Sequence, residues 1–530
     1  MNLSRWGIRH PLAAALIFAV MCVVGILGFR QLPISSLPDI ALPTIQVSVS
    51  LPGATPSQLE TDVTRRIEDA VAGLSGIDKI VSAVSEGSSV TRIEFELGRN
   101  LDEALDEVRD AVGQVRGDLP GDVEEPLVQR LKLVGGTLMA FALESDRLAP
   151  DELSWFVDDV VSKALFGVSG VGQVDRTGGV DREVLVALRP DALQSFGVTA
   201  GAVSSQLARL QLERPGGRTT AGGAEQSVRT VSTVRTAAEL EDYPIYLPDG
   251  RTVRLSALAR VTDGGAEPKS AALLDDRTVI GVSVMRTRGS SEVAVGYAVR
   301  ERMAELAAQY PHVKFTEVTS TVEDANSSYK SSMQMLLEGA LLAVLVVWLF
   351  LRDWRATWIS ALALPLSVLP TFGLMQLFGF SLNLLSLLAL AVVVGVLVDD
   401  AIVEVENVAR HRAMGKPPMQ AAIDAADEIG IAVIGIAVIA TSATLAAVFV
   451  PVAFMPGITG KFFREFGWTA AAAVLFSLLV ARLLTPMLAA YFMKGEPRKA
   501  DDSPLMQRYL GWVELALANR GRALGYAMLT

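Results

Sequence analysis

Two aspartates, Asp399 and Asp400, stand side by side in the apolar stretch Ala391-Val-Val-Val-Gly-Val-Leu-Val-Asp-Asp-Ala-Ile-Val403. An acid near the centre of a bilayer costs roughly 2.5–3.5 kcal/mol on insertion scales, so an adjacent pair is no accident of composition. Burial and mutual repulsion keep the pair from carrying two full charges. What remains is a site able to take a proton from one side of a membrane and release it to the other. A competing reading ends the span early and leaves both acids at the interface, but the apolar pattern continues through Val403 and Val405. Two more charges share this setting. Glu404 follows Asp400 by four residues and so lies on the same helix face. Arg482 sits within Leu478-Leu-Val-Ala-Arg-Leu-Leu-Thr-Pro486, ~15 Å from the end of its run at 1.5 Å per residue. The expectation is that Glu404 and Arg482 pair across two spans and hold the fourth in register. The alternative is two independent charges, Glu404 in a water-filled inlet and Arg482 reaching lipid phosphate.

The elements that must position these groups are membrane spans. Pro11–Phe29 is uncharged and apolar, with Arg5 and Arg9 before it and Arg30 after it. It is long enough to cross ~30 Å of hydrocarbon and lacks the short core of a cleaved signal peptide. Further runs fall at 333–351, 356–378, 384–406, 430–453 and 468–492, which makes six spans. The segment 455–467, with Lys461, Arg464 and Glu465, reads as a break. With the N-terminus inside, Arg5/Arg9, Arg352/Arg355, Arg410/Arg412/Lys416 and Lys494/Arg498/Lys499 all fall on the cytoplasmic side, as the positive-inside rule requires. Glu404 and Arg482 are then on the cytoplasmic side of the aspartates. Ser503–Leu517 suits an interfacial helix, and 519–530 reads as the start of a seventh span cut short.

The long segment between the first two runs is different. Residues 31–330 hold 44 Asp and Glu against 30 Lys and Arg, an acidic soluble body placed outside the cytoplasmic membrane. Pro56, Leu59, Val63, Ile67, Ala70, Gly73, Ser75 and Gly76 recur 94 residues later as Pro150, Leu153, Val157, Val161, Ala164, Gly167, Ser169 and Gly170. Eight matches in register indicate an internal duplication. The first copy reads as strand 45–50, helix 56–72, strands 79–84 and 90–97, helix 101–117 and a further strand near 138–143. That is the split βαβ, ferredoxin-like order. The second copy begins at 138–143, with helix 150–166 and strand 172–176, and resumes near 271 with strand 279–285, helix 291–308 and strand 313–318. An inserted domain separates its halves, and Arg214–Glu225, rich in Gly, Thr and Arg, suits a protruding loop.

Several function classes are excluded. One cysteine, Cys22, and three histidines rule out a disulfide framework and a multi-cysteine or histidine-rich metal centre. A net charge of −11 disfavours nucleic acid as partner. Gly457-Ile-Thr-Gly-Lys-Phe462 lacks the P-loop spacing, and neither HExxH nor G-x-S-x-G occurs. The chain is read as no enzyme and as needing no cofactor beyond a proton gradient.

Val398-Asp-Asp-Ala-Ile-Val403 with Glu406-Asn-Val408, Leu51-Pro-Gly-Ala54, Phe350-Leu-Arg352 and Phe449-Val-Pro451 with Phe454 resemble landmarks of the resistance–nodulation–division (RND) transporters, hydrophobe/amphiphile efflux branch. The resemblance runs along the whole chain and covers the N-terminal half of such a protein. It implies an α-helical transmembrane bundle plus an α+β periplasmic region, with ferredoxin-like porter subdomains and an inserted docking domain. The expected parts are transmembrane helix 1 at 1–30, a first porter subdomain at 31–135, and a second at 136–180 and 271–330. The docking domain occupies 181–270, helices 2–6 occupy 331–493, an interfacial helix 494–518, and the start of helix 7 519–530. The resemblance further implies a homotrimeric proton/substrate antiporter of the bacterial inner membrane, working with a periplasmic adaptor and an outer-membrane channel on small amphiphilic substrates. Asp399 and Asp400 match the family's proton-carrying aspartates, whose basic partners lie in the C-terminal half. Family members often line a drug pocket with phenylalanines; in Thr137–Phe141 and Val174–Gly178 only Phe141 is aromatic, so the substrate-binding residues stay unassigned. Two alternatives remain: metal efflux on the same fold, and a membrane-anchored periplasmic sensor or protein-handling subunit that does not transport.

Overall fold

The computed structural model describes residues 3–39, 43–131, 136–208, 210, 212–221, 224–232, 234, 236–268, 270–431, 433–493 and 504–521. The chain divides into two compact units, Met1–Leu131 with Ala325–Thr530, and Lys132–Asp324.

Among the described residues five helices are long and apolar enough to cross a membrane, all within the first unit save the first residues of α2: α1 Pro11–Gln31, α2 Val322–Leu351, α3 Trp354–Leu377, α4 Leu384–Ala413 and α7 Gly457–Phe492. Between the last two lie α5 Pro418–Ile431 and α6 Val433–Val452, the latter covering the fifth expected run. Local chemistry sets the ends. Asp353 caps α3 by accepting from Arg355 N at 2.8 Å, directly after Arg352 takes a left-handed φ of 48° to turn the chain. Asn383 caps α4, its Oδ1 accepting from Leu385 N and Ser386 N at 2.9 Å each, while Ser386 Oγ accepts from Asn383 N at 3.0 Å. Glycine sets the approach of α1 to α3. A Cβ on Gly25 would collide with the Leu369 carbonyl, so the two backbones touch where a side chain would stand.

The expected break at 455–467 is a correction. The chain is helical from Gly457, straight after Pro456, so Lys461, Arg464 and Glu465 ride on the first turns of α7. The Gly457–Phe462 segment is likewise helix and not loop. The expected interfacial helix corresponds to Pro504–Ala518. Lys494, Arg498 and Lys499 and most of the expected seventh span, 522–530, lie outside the described residues.

The same unit holds a four-stranded antiparallel sheet of β1 Thr44–Ser50, β2 Ile77–Ser85, β3 Ser88–Phe95 and β4 Leu127–Arg130, in the order β2-β3-β1-β4. Ile45, Val47, Val49, Ile93 and Phe95 alternate onto one face. They meet Leu59, Val63, Ile67 and Val71 of the helical segment 56–72 and Ala104, Val108 and Val112 of Leu101–Val115. This is the ferredoxin-like order, with one correction. The closing strand is 127–130, and the strand near 138–143 belongs only to the second copy.

In the second unit β5 Thr137–Glu144, β6 Val171–Thr177, β14 Arg277–Arg286 and β15 Lys314–Ser320 repeat the scheme in the order β6-β14-β5-β15, and β13 Ala272–Leu274 shares the outer edge of β14. Leu153, Val157, Val161 and Leu165 pack on this sheet beside Val295, Val299 and Met303 of Glu292–Gln309. The duplication extends to backbone geometry. Gly76 and Gly170, 94 residues apart, close the turns that lead from each helix into the next strand, with φ of 73° and 92°, where L-residues are strained and glycine is not.

Between the halves, β7 Arg182–Leu188 pairs with β12 Ala259–Gly265, and β10 Pro244–Tyr246 with β11 Thr252–Arg254. They surround their own core of Val203, Ile245, Leu255 and Leu258. The expected loop at 214–225 is instead a hairpin, β8 Leu212–Ala221 against β9 Ala224–Ser232. Its glycines, 216 and 217, sit where the register shifts between Pro215 and Arg218. The glycines bend the ladder rather than dissolve it.

Candidate functional site

The site forms where α4 meets α7. Leu390, Val393, Val394 and Leu397 on α4 pack against Ala470, Ala473 and Val474 on α7. Small residues on α7 let the helices approach until side-chain-to-backbone bonds form. Ser477 Oγ donates to the Leu397 carbonyl at 2.9 Å.

One turn further along α4 the charged groups begin. Asp400 is 6% exposed, and its Oδ2 accepts from Ser442 Oγ of α6 at 3.0 Å. Asp399, one residue earlier, faces outward and is exposed. Glu404 is 0% exposed, Arg482 8%, and Arg482 Nη1 donates to Glu404 Oε1 at 3.3 Å. Among the described residues Glu404 Oε2 has no hydrogen-bond partner. The structure therefore brings Asp400, Glu404 and Arg482 into one buried cluster and leaves Asp399 at its rim.

Arg482 reaches this position from an unusual stretch of backbone. Val480–Leu484 is π-helical inside α7. Pro486 has no N–H to give to the carbonyl of Arg482 four residues earlier, and its ring crowds that carbonyl. The wider turn absorbs the conflict, as π-bulges in helices commonly do at functional sites.

Two polar clusters escaped the sequence reading. Glu465 is 9% exposed; its Oε2 accepts from Asn383 Nδ2 at 2.5 Å and from Ser381 N and Oγ at 3.4 Å each. At the other end of α4, Glu428 of α5 accepts from Arg410 and bonds His411 Nε2, both at 2.6 Å. Lys416 donates to Asp424 at 2.7 Å, and Arg5 pairs with Asp427. These bonds, led by His411 for Glu428 and by Lys416 for Asp424, hold both carboxyls below the usual carboxylate range. Of the basic residues read as a topological signal, Arg5, Arg410 and Lys416 are thus paired with acids of α5. Asn407 Nδ2 adds a bond to the Ala425 carbonyl at 3.2 Å. No sequence signal pointed to Glu428 or Asp424; for Glu465, its position nine residues after Pro456 was the available hint that a helix had already begun.

Residues 3–528 match the model of the AcrB/AcrD/AcrF family. The chain is 34% identical over 498 residues to the multidrug resistance protein MdtC of Pectobacterium atrosepticum, covering 93% of this chain and 48% of that protein. It is 34% identical over 521 residues to MdtC of Pantoea ananatis, covering 97% and 50%, and 33% identical over 498 residues to MdtC of Escherichia coli, covering 93% and 48%. It spans about half the length of the curated relatives it matches. A family match along nearly all of the chain, together with the helices and duplicated sheets described above, has one meaning: the chain belongs to the AcrB/AcrD/AcrF family of RND efflux transporters.

Proposed function

We propose that the full protein exports small amphiphilic compounds in exchange for protons, with Asp399 and Asp400 as the proton carriers. The observation that carries this reading is Asp400, a carboxyl buried at 6% exposure between apolar helices, with the Ser442 hydroxyl on its Oδ2. The neighbouring guanidinium gives its hydrogen bond to Glu404, and gaining or losing a proton at Asp400 changes its burial cost by kilocalories. The Glu404–Arg482 contact joins α4 to α7 beside it and holds α4 in register. The N-terminus lies in the cytoplasm and residues 31–330 in the periplasm, in keeping with the placement of the basic segments. The protein works in the inner membrane as a homotrimer with a periplasmic adaptor and an outer-membrane channel.

The test replaces Asp399 or Asp400 by asparagine in the full-length protein. Expression and assembly persist, because neutralising an acid in lipid lowers its burial cost, while dye efflux and resistance are lost. Wild-type efflux from either variant overturns the assignment. It would favour a sensor or protein-handling role, which needs no intramembrane acid.

A further inference from the structure

At one level of the membrane bundle two carboxylates share one guanidinium. The charges acting on Asp400 are Asp399 on its own helix and Arg482 from α7, joined by the hydroxyls of Ser442 on α6 and Ser477 on α7. Those acting on Glu404 are Arg482 and Asp400. Around this stretch of α4, α3 contributes Ala356, Ile359 and Ala363 with the buried hydroxyls of Thr357 and Ser360, and α5 contributes Ala422, Ala425 and Ala426; none of these side chains is ionisable. One cation compensates one buried carboxylate. Ionising the second leaves a net charge in the bundle, the costly case for buried ions.

Building on the proton-coupled reading above, we propose that Asp400, Glu404 and Arg482 form a charge-balanced triad holding one exchangeable proton. Glu404 is then a third proton-carrying position, and Arg482 a positioning residue that follows whichever acid is ionised. The arrangement in the structure, Arg482 on Glu404 and Ser442 on Asp400, is the state with the proton on Asp400. In the next step the O–H bond on Asp400 breaks and one forms on Glu404 Oε2, the oxygen that has no partner among the described residues. Asp400 becomes the carboxylate, Glu404 the neutral acid, and the guanidinium turns to Asp400. The total charge stays zero throughout. Residues four apart on a helix place their Cβ atoms about 5–6 Å from each other, a separation that long carboxyl side chains close directly or through one water. The proton advances one helical turn, about 6 Å, towards the end of α4 that carries Arg410 and Arg412.

The experiment measures substrate transport against pH for full-length protein in liposomes, with thermal stability followed in parallel. Wild type, E404Q, R482M, the E404Q/R482M double variant and D400N are compared. E404Q leaves Asp400 alone with the cation, so the pH of half-maximal transport moves to the acid side by about one unit. R482M removes the counter-charge and moves it to the alkaline side; the double variant returns towards wild type. If R482M does not assemble, the near-isosteric E404Q decides by itself. An unshifted E404Q profile, or shifts of E404Q and R482M in the same direction, overturns the triad whatever happens to stability. D400N keeps the two proposals apart: transport that survives it overturns the efflux assignment, whereas transport lost in D400N with an unshifted E404Q profile overturns the triad alone.

Discussion

Asn383 performs two tasks with one amide: its Oδ1 caps the first turn of α4, and its Nδ2 donates to Glu465 of α7 at 2.5 Å. Helix capping and helix pairing are therefore a single bonded unit at this end of the bundle.

Replacing Asn383 by alanine removes both functions. The cap is worth about 1 kcal/mol, and stripping the best donor from a buried carboxylate adds about 1–3 kcal/mol. Glu465→Gln keeps an acceptor oxygen and costs less. Thermal unfolding of the full-length protein in detergent measures both, and the double variant should fall short of the sum, because the two residues share one bond.

The Glu404–Arg482 contact gives a sharper cycle. Arg482→Leu leaves Glu404 without its counter-charge and destabilises by ~3–5 kcal/mol, whereas Glu404→Val, after which Asp400 can take over the guanidinium, and the double variant both cost less. Unfolding midpoints of the two single variants and the double variant provide the measurement. Strictly additive losses would show that the contact carries no coupling.

These two pairs differ in how visible they were beforehand. Arg482 is a lone charge inside an apolar run and Glu404 shares a helix face with Asp400, and an uncompensated charge in hydrocarbon demands a partner. Glu465 stands with Lys461 and Arg464, and a cluster of charges imitates a loop. Only packing reveals that its helix had already started and that the far end of α4 supplies its donors. The same limit applies to the strands. The duplicated helices and long strands announce themselves by period, but Leu127–Arg130 is four residues behind Pro126, too short for alternation to register. The hairpin at 212–232 was masked by its glycines. Glu428 and Asp424 were invisible because surface acids on an amphipathic helix look solvated until the facing basic residues are located.

Gly25 offers a test of helix contact. Gly25→Ala places a methyl against the Leu369 carbonyl and forces α1 away from α3. Overpacking of this kind costs about 1–3 kcal/mol. Gly395, which has open space around a built Cβ, should accept alanine without loss. Thermal stability of the two full-length variants, compared side by side, checks the contrast.

The α5 contacts carry a pH dependence of definite sign. Because bonds to His411 and Arg410 depress the Glu428 carboxyl, and bonds to Lys416 and Gln420 that of Asp424, their stabilisation is present above the ordinary carboxylate range. It is lost as pH falls through the depressed folded values, below about pH 4. Hydrogen exchange across Pro418–Ile431, corrected for intrinsic rate, should show protection lost on acidification. Glu428→Gln with Asp424→Asn should show weakened protection at neutral pH and a flattened acid response.

The contacts between α4 and α7 occur at three heights: Asn383 and Ser381 with Glu465, Leu397 with Ser477, and Glu404 with Arg482. Sliding one helix past the other by a single turn would break all three together and strand two buried acids. The pair is splinted, so any displacement of α4 that keeps these bonds carries α7 with it. α6 adds a further tie at the same level, where the Ser442 hydroxyl donates to the Asp400 carboxyl.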